Sequence, residues 1–152
     1  MTLKTDAEVL RLALVLGLID RSAIVAWADE LILSGRAAEV PVAFDLSTPA
    51  KTPLSDVITQ LGRVPGEIDR QAIGRRVAGH LRESLATGRL DITAVARAMH
   101  RLLQEGFAPD DDFEHMAYHA DDGVDLALSG TYGTLPAIHD DVIRFLDRYS
   151  VS

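Results

Sequence analysis

The chain has 152 residues, 47% of them apolar and 25% charged, a balance that argues against global disorder and suits one globular domain with a sizeable core. Its formal charge of −8 disfavours indiscriminate binding to nucleic acid or to an anionic membrane, since both repel a net anion. Cysteine is absent, which excludes disulfides, Cys-ligated zinc and a thiol nucleophile and fits an expected cytoplasmic location.

The first element is an apolar run, Val9 to Ile19. It comes after Asp6 and Glu8 rather than a basic stretch and carries Arg11, so it reads as a buried helix and not as a leader or a membrane span. A helix is expected from Asp6 to Leu16, stopped by Gly17. Asp20 is placed to cap a second helix. There Ile24, Trp27, Ala28 and Leu31 fall at i, i+3, i+4 and i+7, so they predict one apolar face with Trp27 in the core. That helix should end near Gly35.

Pro41, Pro49, Pro53 and Pro65 punctuate the next stretch of chain. Val40 to Leu46 fits a short helix or an extended segment equally well, and residues 37–52 stay open. Thr52-Pro53 predicts an N-cap and first helical position for a helix from Leu54 to Leu61, broken by Pro65-Gly66. Ile73, Val77, Leu81 and Leu85 then repeat at four-residue spacing up to Gly88. Asp91 should cap the next helix, whose core side is Val95, Met99, Leu102 and Leu103, ending at Gly106. Asp110 to Asp112 make an acidic helix start, favourable to the helix dipole, continued by Phe113, Met116, Ala117 and Ala120. Gly123, Gly130 and Gly133 should interrupt. A last helix from Pro136 to Tyr149 presents Ile138, Val142, Phe145, Leu146 and Tyr149.

One helical hairpin is written twice. Ala7 to Gly35 laid over Ala78 to Gly106, a shift of 71 residues, gives nine identities in 29 positions. These include Gly17 with Gly88, Asp20 with Asp91, and Gly35 with Gly106, where a hairpin must be specified. A fainter echo sets Asp56-Val57-Ile58 and Leu61 against Asp141-Val142-Ile143 and Leu146, at a shift of 85. The expected fold is therefore all-α, a helical hairpin array or orthogonal bundle of about six or seven helices with a candidate internal duplication. It is read as a single domain over 1–152, with repeat units 6–64 and 77–150.

Charge is uneven: residues 1–61 sum to −3, 62–106 to +3 and 107–152 to −8. The arginines of the middle (Arg63, Arg70, Arg75, Arg76, Arg82, Arg89, Arg97 and Arg101) lack interleaved aromatics for base stacking, so they are expected to pair internally with the acidic third or to solvate helix faces. No nucleophile motif is present, since Ser129-Gly130-Thr131-Tyr132-Gly133 lacks a preceding strand, and no catalytic residue is assigned.

Two function classes lead, ahead of a weaker third, nucleic-acid binding by the arginine-rich middle. The leading one is a non-enzymatic regulatory, adaptor or immunity-type module that neutralises a basic protein partner through Asp111, Asp112, Glu114, Asp121, Asp122 and Asp125. A homodimer stays open, and no cofactor is expected. The alternative is a metal-dependent enzyme with a divalent cation on Asp111, His115, His119 and Asp122, which helical spacing brings towards one stripe. His139-Asp140-Asp141 is a remoter source of a ligand and reads more simply as first-turn polar residues. His80 and His100 are read as structural.

Overall fold

The structure, a computed structural model, describes residues 2–40, 43–47 and 53–150, with Phe44 described in its backbone alone. The fold is all-α. Among the described residues there are eight α-helices and two 3₁₀ turns, with no strand. The helices are α1 (Leu3–Val15), α2 (Arg21–Leu33), α3 (Ala43–Ser47), α4 (Leu54–Gly62), α5 (Arg70–Ala86), α6 (Ile92–Gln104), α7 (Asp111–Leu128) and α8 (Leu135–Leu146). The 3₁₀ turns are Ala37–Glu39 and Asp147–Tyr149. None of the described helices is long and apolar enough to cross a membrane.

The chain divides into two compact units, Met1–Asp69 and Arg70–Ser152. In the first, α1 and α2 form the hairpin, α3 packs on α2, and α4 packs on α1. Its core is closed by Ala7, Leu14, Ile24, Ala28, Leu31, Val57 and Leu61, with Trp27 partly buried against it. One charged group is taken into this unit. Glu8 is 5% exposed and accepts from Arg11 at 2.9 Å and from Lys4 at 3.2 Å, while Lys4 also donates to the Gly62 carbonyl at 2.9 Å. The cluster thereby ties α1 to the end of α4. Burial works to raise the Glu8 carboxyl, but the two cations outweigh it and hold it below the ordinary carboxylate range.

In the second unit α5 and α6 form the hairpin, α7 packs on α6, and α8 packs on α5. Ile73, Val77 and Leu81 of α5, Val95, Met99 and Leu102 of α6, Phe113, Ala117 and Ala120 of α7, and Val142 and Leu146 of α8 are all fully buried. Phe113, Phe145 and Tyr149 form an aromatic cluster at its edge, with ring centroids 5.8 to 6.5 Å apart.

The two units thus repeat one packing order, and the glycine turns of their hairpins make matching backbone bonds. Gly17 N donates to the Leu14 carbonyl as Gly88 N does to Leu85. Gly35 N pairs with Ile32 as Gly106 N pairs with Leu103, and Arg36 N with Leu31 as Phe107 N with Leu102. Every one of these pairs keeps the 71-residue shift. Gly17 and Gly88 both sit at φ +77°, a left-handed turn that a side chain enters only at a cost of about 1–2 kcal/mol. The capping residue is the same but its bond is not: the Asp20 carboxylate accepts from Ser22 N, two residues on, at 3.1 Å, and that of Asp91 from Ala94 N, three residues on, at 2.8 Å. Between hairpin and final helix the shift grows from 71 to 85 residues, and there the second unit has the 18-residue α7 where the first has the 5-residue α3.

Several boundaries depart from the sequence expectation. Helix α1 starts at Leu3 because Thr2, not a later residue, caps it by accepting from Thr5 N at 3.1 Å. Pro53 is the N-cap of α4 rather than its first helical residue, its extended backbone presenting the carbonyl to Asp56 N and Val57 N. Thr52 lies outside the described residues, as do Pro41 and Val42, while Ala43–Ser47 is helical. Leu103 is only half-buried. Gly123 does not interrupt: α7 runs through it to Leu128. A Cβ there would come within 3.3 Å of the Ile138 side chain, so glycine serves the close approach of α8 and not a break. Helix α8 is capped by Thr134 and begins at Leu135, which moves His139, Asp140 and Asp141 beyond its first turn.

Candidate functional site

The acidic candidates all lie on α7, and its start is set by Asp110. That residue's backbone is extended, and its carboxylate accepts from Phe113 N at 2.8 Å, closing the first turn. The same carboxylate accepts from the Tyr149 hydroxyl at 2.8 Å and lies 3.6 Å from Arg75. Burial, and then the neighbouring Asp110 anion, push the Tyr149 phenol well above its ordinary range.

With about 100° of turn per residue, the six proposed partner-binding carboxylates separate into different rows of α7. Asp121 and Asp125 face α6, where one guanidinium, Arg97, holds both. It contacts Asp121 directly and Asp125 at 2.6 Å. Asp112 lies on the opposite flank, 3.0 Å from Arg148. Asp111 and Asp122 are on the outer ridge with His115, all exposed, and Glu114 is half-buried. Among the described residues Asp111, Glu114 and Asp122 have no cationic partner.

Internal pairing therefore takes up half of the set. Arg82 joins it by bonding Asp147 at 3.0 Å, so the arginines of the middle meet the acids of the C-terminal third at Asp110, Asp121, Asp125 and Asp147. These pairs are at least partly solvent-exposed and each contributes about 0.2–1 kcal/mol, so they orient α7 more than they stabilise it.

The metal candidates are spread along α7 without being gathered. Asp111, His115 and Asp122 occupy the ridge, while His119 turns towards α8. Among the described residues no three His, Asp or Glu side chains are placed to hold one metal ion. Asp141 does approach this region, lining with His119 and Asp122 a cleft of about 580 Å3 between α7 and α8. His139 and Asp140 line a separate hollow beside Leu90 and Pro136.

That cleft is what sequence reasoning missed. Its walls are Gly123, Leu126, Ala137 and Ile138, and the exposed ring of Tyr132 stands at its mouth. Met116 and His119 continue it along α7 towards Arg144 and Phe145 of α8. The available signal was the stripe Met116, His119, Gly123 and Leu126, spaced three or four apart, set against the similar stripe Ile138, Asp141 and Phe145. Elsewhere, His80 lines a hollow with Arg76 and Arg82, and burial, then the Arg76 charge, lower its imidazole below the ordinary range. His100 sets its ring edge against Tyr118, with centroids 5.7 Å apart.

Comparison with family models, with curated proteins and with solved structures gave no match to this chain.

Proposed function

We propose that this chain is a non-enzymatic protein-binding module whose α7–α8 face captures a basic partner, in the manner of an adaptor or of an immunity-type neutralising protein. The observation that carries the reading is the residue of charge left after internal pairing. Residues 107–152 hold ten acids and two bases, and Asp111, Glu114, Asp122 and Asp141 have no cationic partner among the described residues. Three of the four are exposed, and they stand beside exposed Tyr118, Leu126 and Tyr132. Carboxylates around solvent-facing aromatic and aliphatic groups suit association with a cationic protein surface, steering it at long range and anchoring it at short range.

The test uses the partner that co-purifies with the chain from its host. Its association rate is measured for the wild type and for Asp111→Asn/Asp122→Asn at about 0.05 M and about 0.5 M salt. The reading predicts a roughly tenfold slower association of the variant at low salt, with the difference shrinking at high salt. Equal rates at low salt would remove the acidic face from recognition.

A further inference from the structure

The α7–α8 cleft does more than display charge. It pairs an apolar floor with a charged rim, carboxylate-lined at one end and mixed in charge at the other. The floor is where the helices touch: Gly123, lacking a side chain, admits Ile138, and Leu126 remains 40% exposed beside them. On the rim, Asp122 from α7 and Asp141 from α8 line one cleft, and neither has a cationic partner among the described residues. Towards the other end, which Asp141 also lines, stand Arg144, and Arg148 stacked over Phe145 at 4.2 Å and bonded to Asp112. From Met116 to Leu126 the α7 wall rises about 15 Å at 1.5 Å per residue, the length of about three helical turns. A volume of about 580 Å3 admits a short row of side chains rather than a folded surface.

We infer that this groove docks a basic amphipathic helix of the partner protein. Its apolar stripe lies over Leu126 and Ile138, and a lysine or arginine reaches between Asp122 and Asp141 with the Tyr132 ring beside it. The occupant is set by complementarity. An apolar trough between two helices takes anchors spaced i, i+3, i+4 and i+7, and unpaired carboxylates at one end require a cation there. This inference rests on the protein-binding reading above and assigns the recognition element within it.

The experiment uses the full chain and two fluorescein-labelled peptides of about 15 residues, built from leucine, alanine and arginine. One places leucines at i, i+3, i+4 and i+7; the other has the same composition with the leucines scrambled. The patterned peptide should bind at least about tenfold more tightly than the scrambled one. Ala137→Trp, which fills the groove from an exposed position, and Asp122→Asn/Asp141→Asn should each weaken it about tenfold or more. Glu30→Gln, on exposed α2 surface of the first unit, should leave it unchanged. Unaltered thermal unfolding of Ala137→Trp shows that its effect is occlusion. Equal, salt-sensitive binding of both peptides would overturn the groove while leaving an acidic binding face in place. Absence of binding by either would overturn both. Displacement of the patterned peptide by spermidine at equal concentration would also overturn it, in favour of a small cation.

Discussion

The Tyr149 hydroxyl donates to both oxygens of the Asp110 carboxylate, at 2.9 and 2.8 Å, across 39 residues of chain. It ties the closing 3₁₀ turn to the residue that caps α7, so the helix carrying the free carboxylates is held at its origin. One anchor of the acidic face is thus a residue that forms no part of it.

Tyr149→Phe should cost about 1–2 kcal/mol in chemical denaturation, the loss of a hydrogen bond to a charged acceptor. Asp110→Ala should cost about 2–3 kcal/mol, since it removes the cap and also leaves the phenol without its acceptor. A pH series separates the two contributions. The folded-state phenol ionises above the unfolded value of 10.0, so its contribution is complete below pH 10 and is lost as pH rises beyond it. The wild type should lose stability above pH 10 more steeply than Tyr149→Phe, and parallel curves would refute the linkage.

Glu8 offers the opposite case. Its folded carboxyl lies below the ordinary value of 4.5, so the stabilisation it brings is present above pH 4.5 and fades as pH falls through the folded value. Glu8→Gln leaves Lys4 and Arg11 without their anion and should cost about 3 kcal/mol near neutral pH. The gap between wild type and variant should close as pH falls below 4.5, as read from urea midpoints. A gap independent of pH would mean that the substituted amide disturbs packing rather than charge.

His80 should mark the acid side of the second unit. Burial and Arg76 depress its folded-state value below 6.5, so the unfolded chain takes up its proton first, and stability contributed near neutral pH is lost as pH falls below 6.5. Replacement by Leu should flatten the stability profile just below pH 6.5. A slope identical to wild type there would exclude His80 as its source.

Gly74 is required for contact between α5 and the segment after α6. A Cβ at that position would overlap the Phe107 carbonyl oxygen, which is backbone and cannot turn aside. Gly74→Ala should destabilise by about 3 kcal/mol, the upper range for overpacking. Gly88→Ala, where a Cβ meets nothing within 4 Å, should cost only the left-handed backbone term of about 1–2 kcal/mol. Thermal unfolding of the two variants orders them, and the reverse order would contradict the packing described.

The parts legible in the sequence are those specified locally. Gly17, Asp20, Gly88 and Asp91 announce the hairpins because a stop glycine and a capping carboxylate act within four residues of themselves. Gly123 misled because a glycine inside a helix and one ending a helix have the same identity, and only Ile138, 15 residues on, distinguishes them. The acidic candidates suffered likewise. Asp121 and Asp125 look like Asp111 and Asp122 until α6 brings up Arg97, 24 and 28 residues earlier. The cleft itself needs two helices facing each other, so neither stripe alone revealed it.

The central claim is that the carboxylates left unpaired on the outer face of α7 recognise the partner, beyond what net charge contributes. The most direct measurement is the equilibrium affinity of the captured partner at about 0.3 M salt, where long-range steering is largely screened. It is taken for Asp111→Asn/Asp122→Asn and for Asp29→Asn/Glu30→Gln, the same change in charge on exposed α2 surface of the first unit. A loss of roughly tenfold is predicted for the α7 pair and none for the α2 pair. Equal affinities for the two variants would contradict the claim.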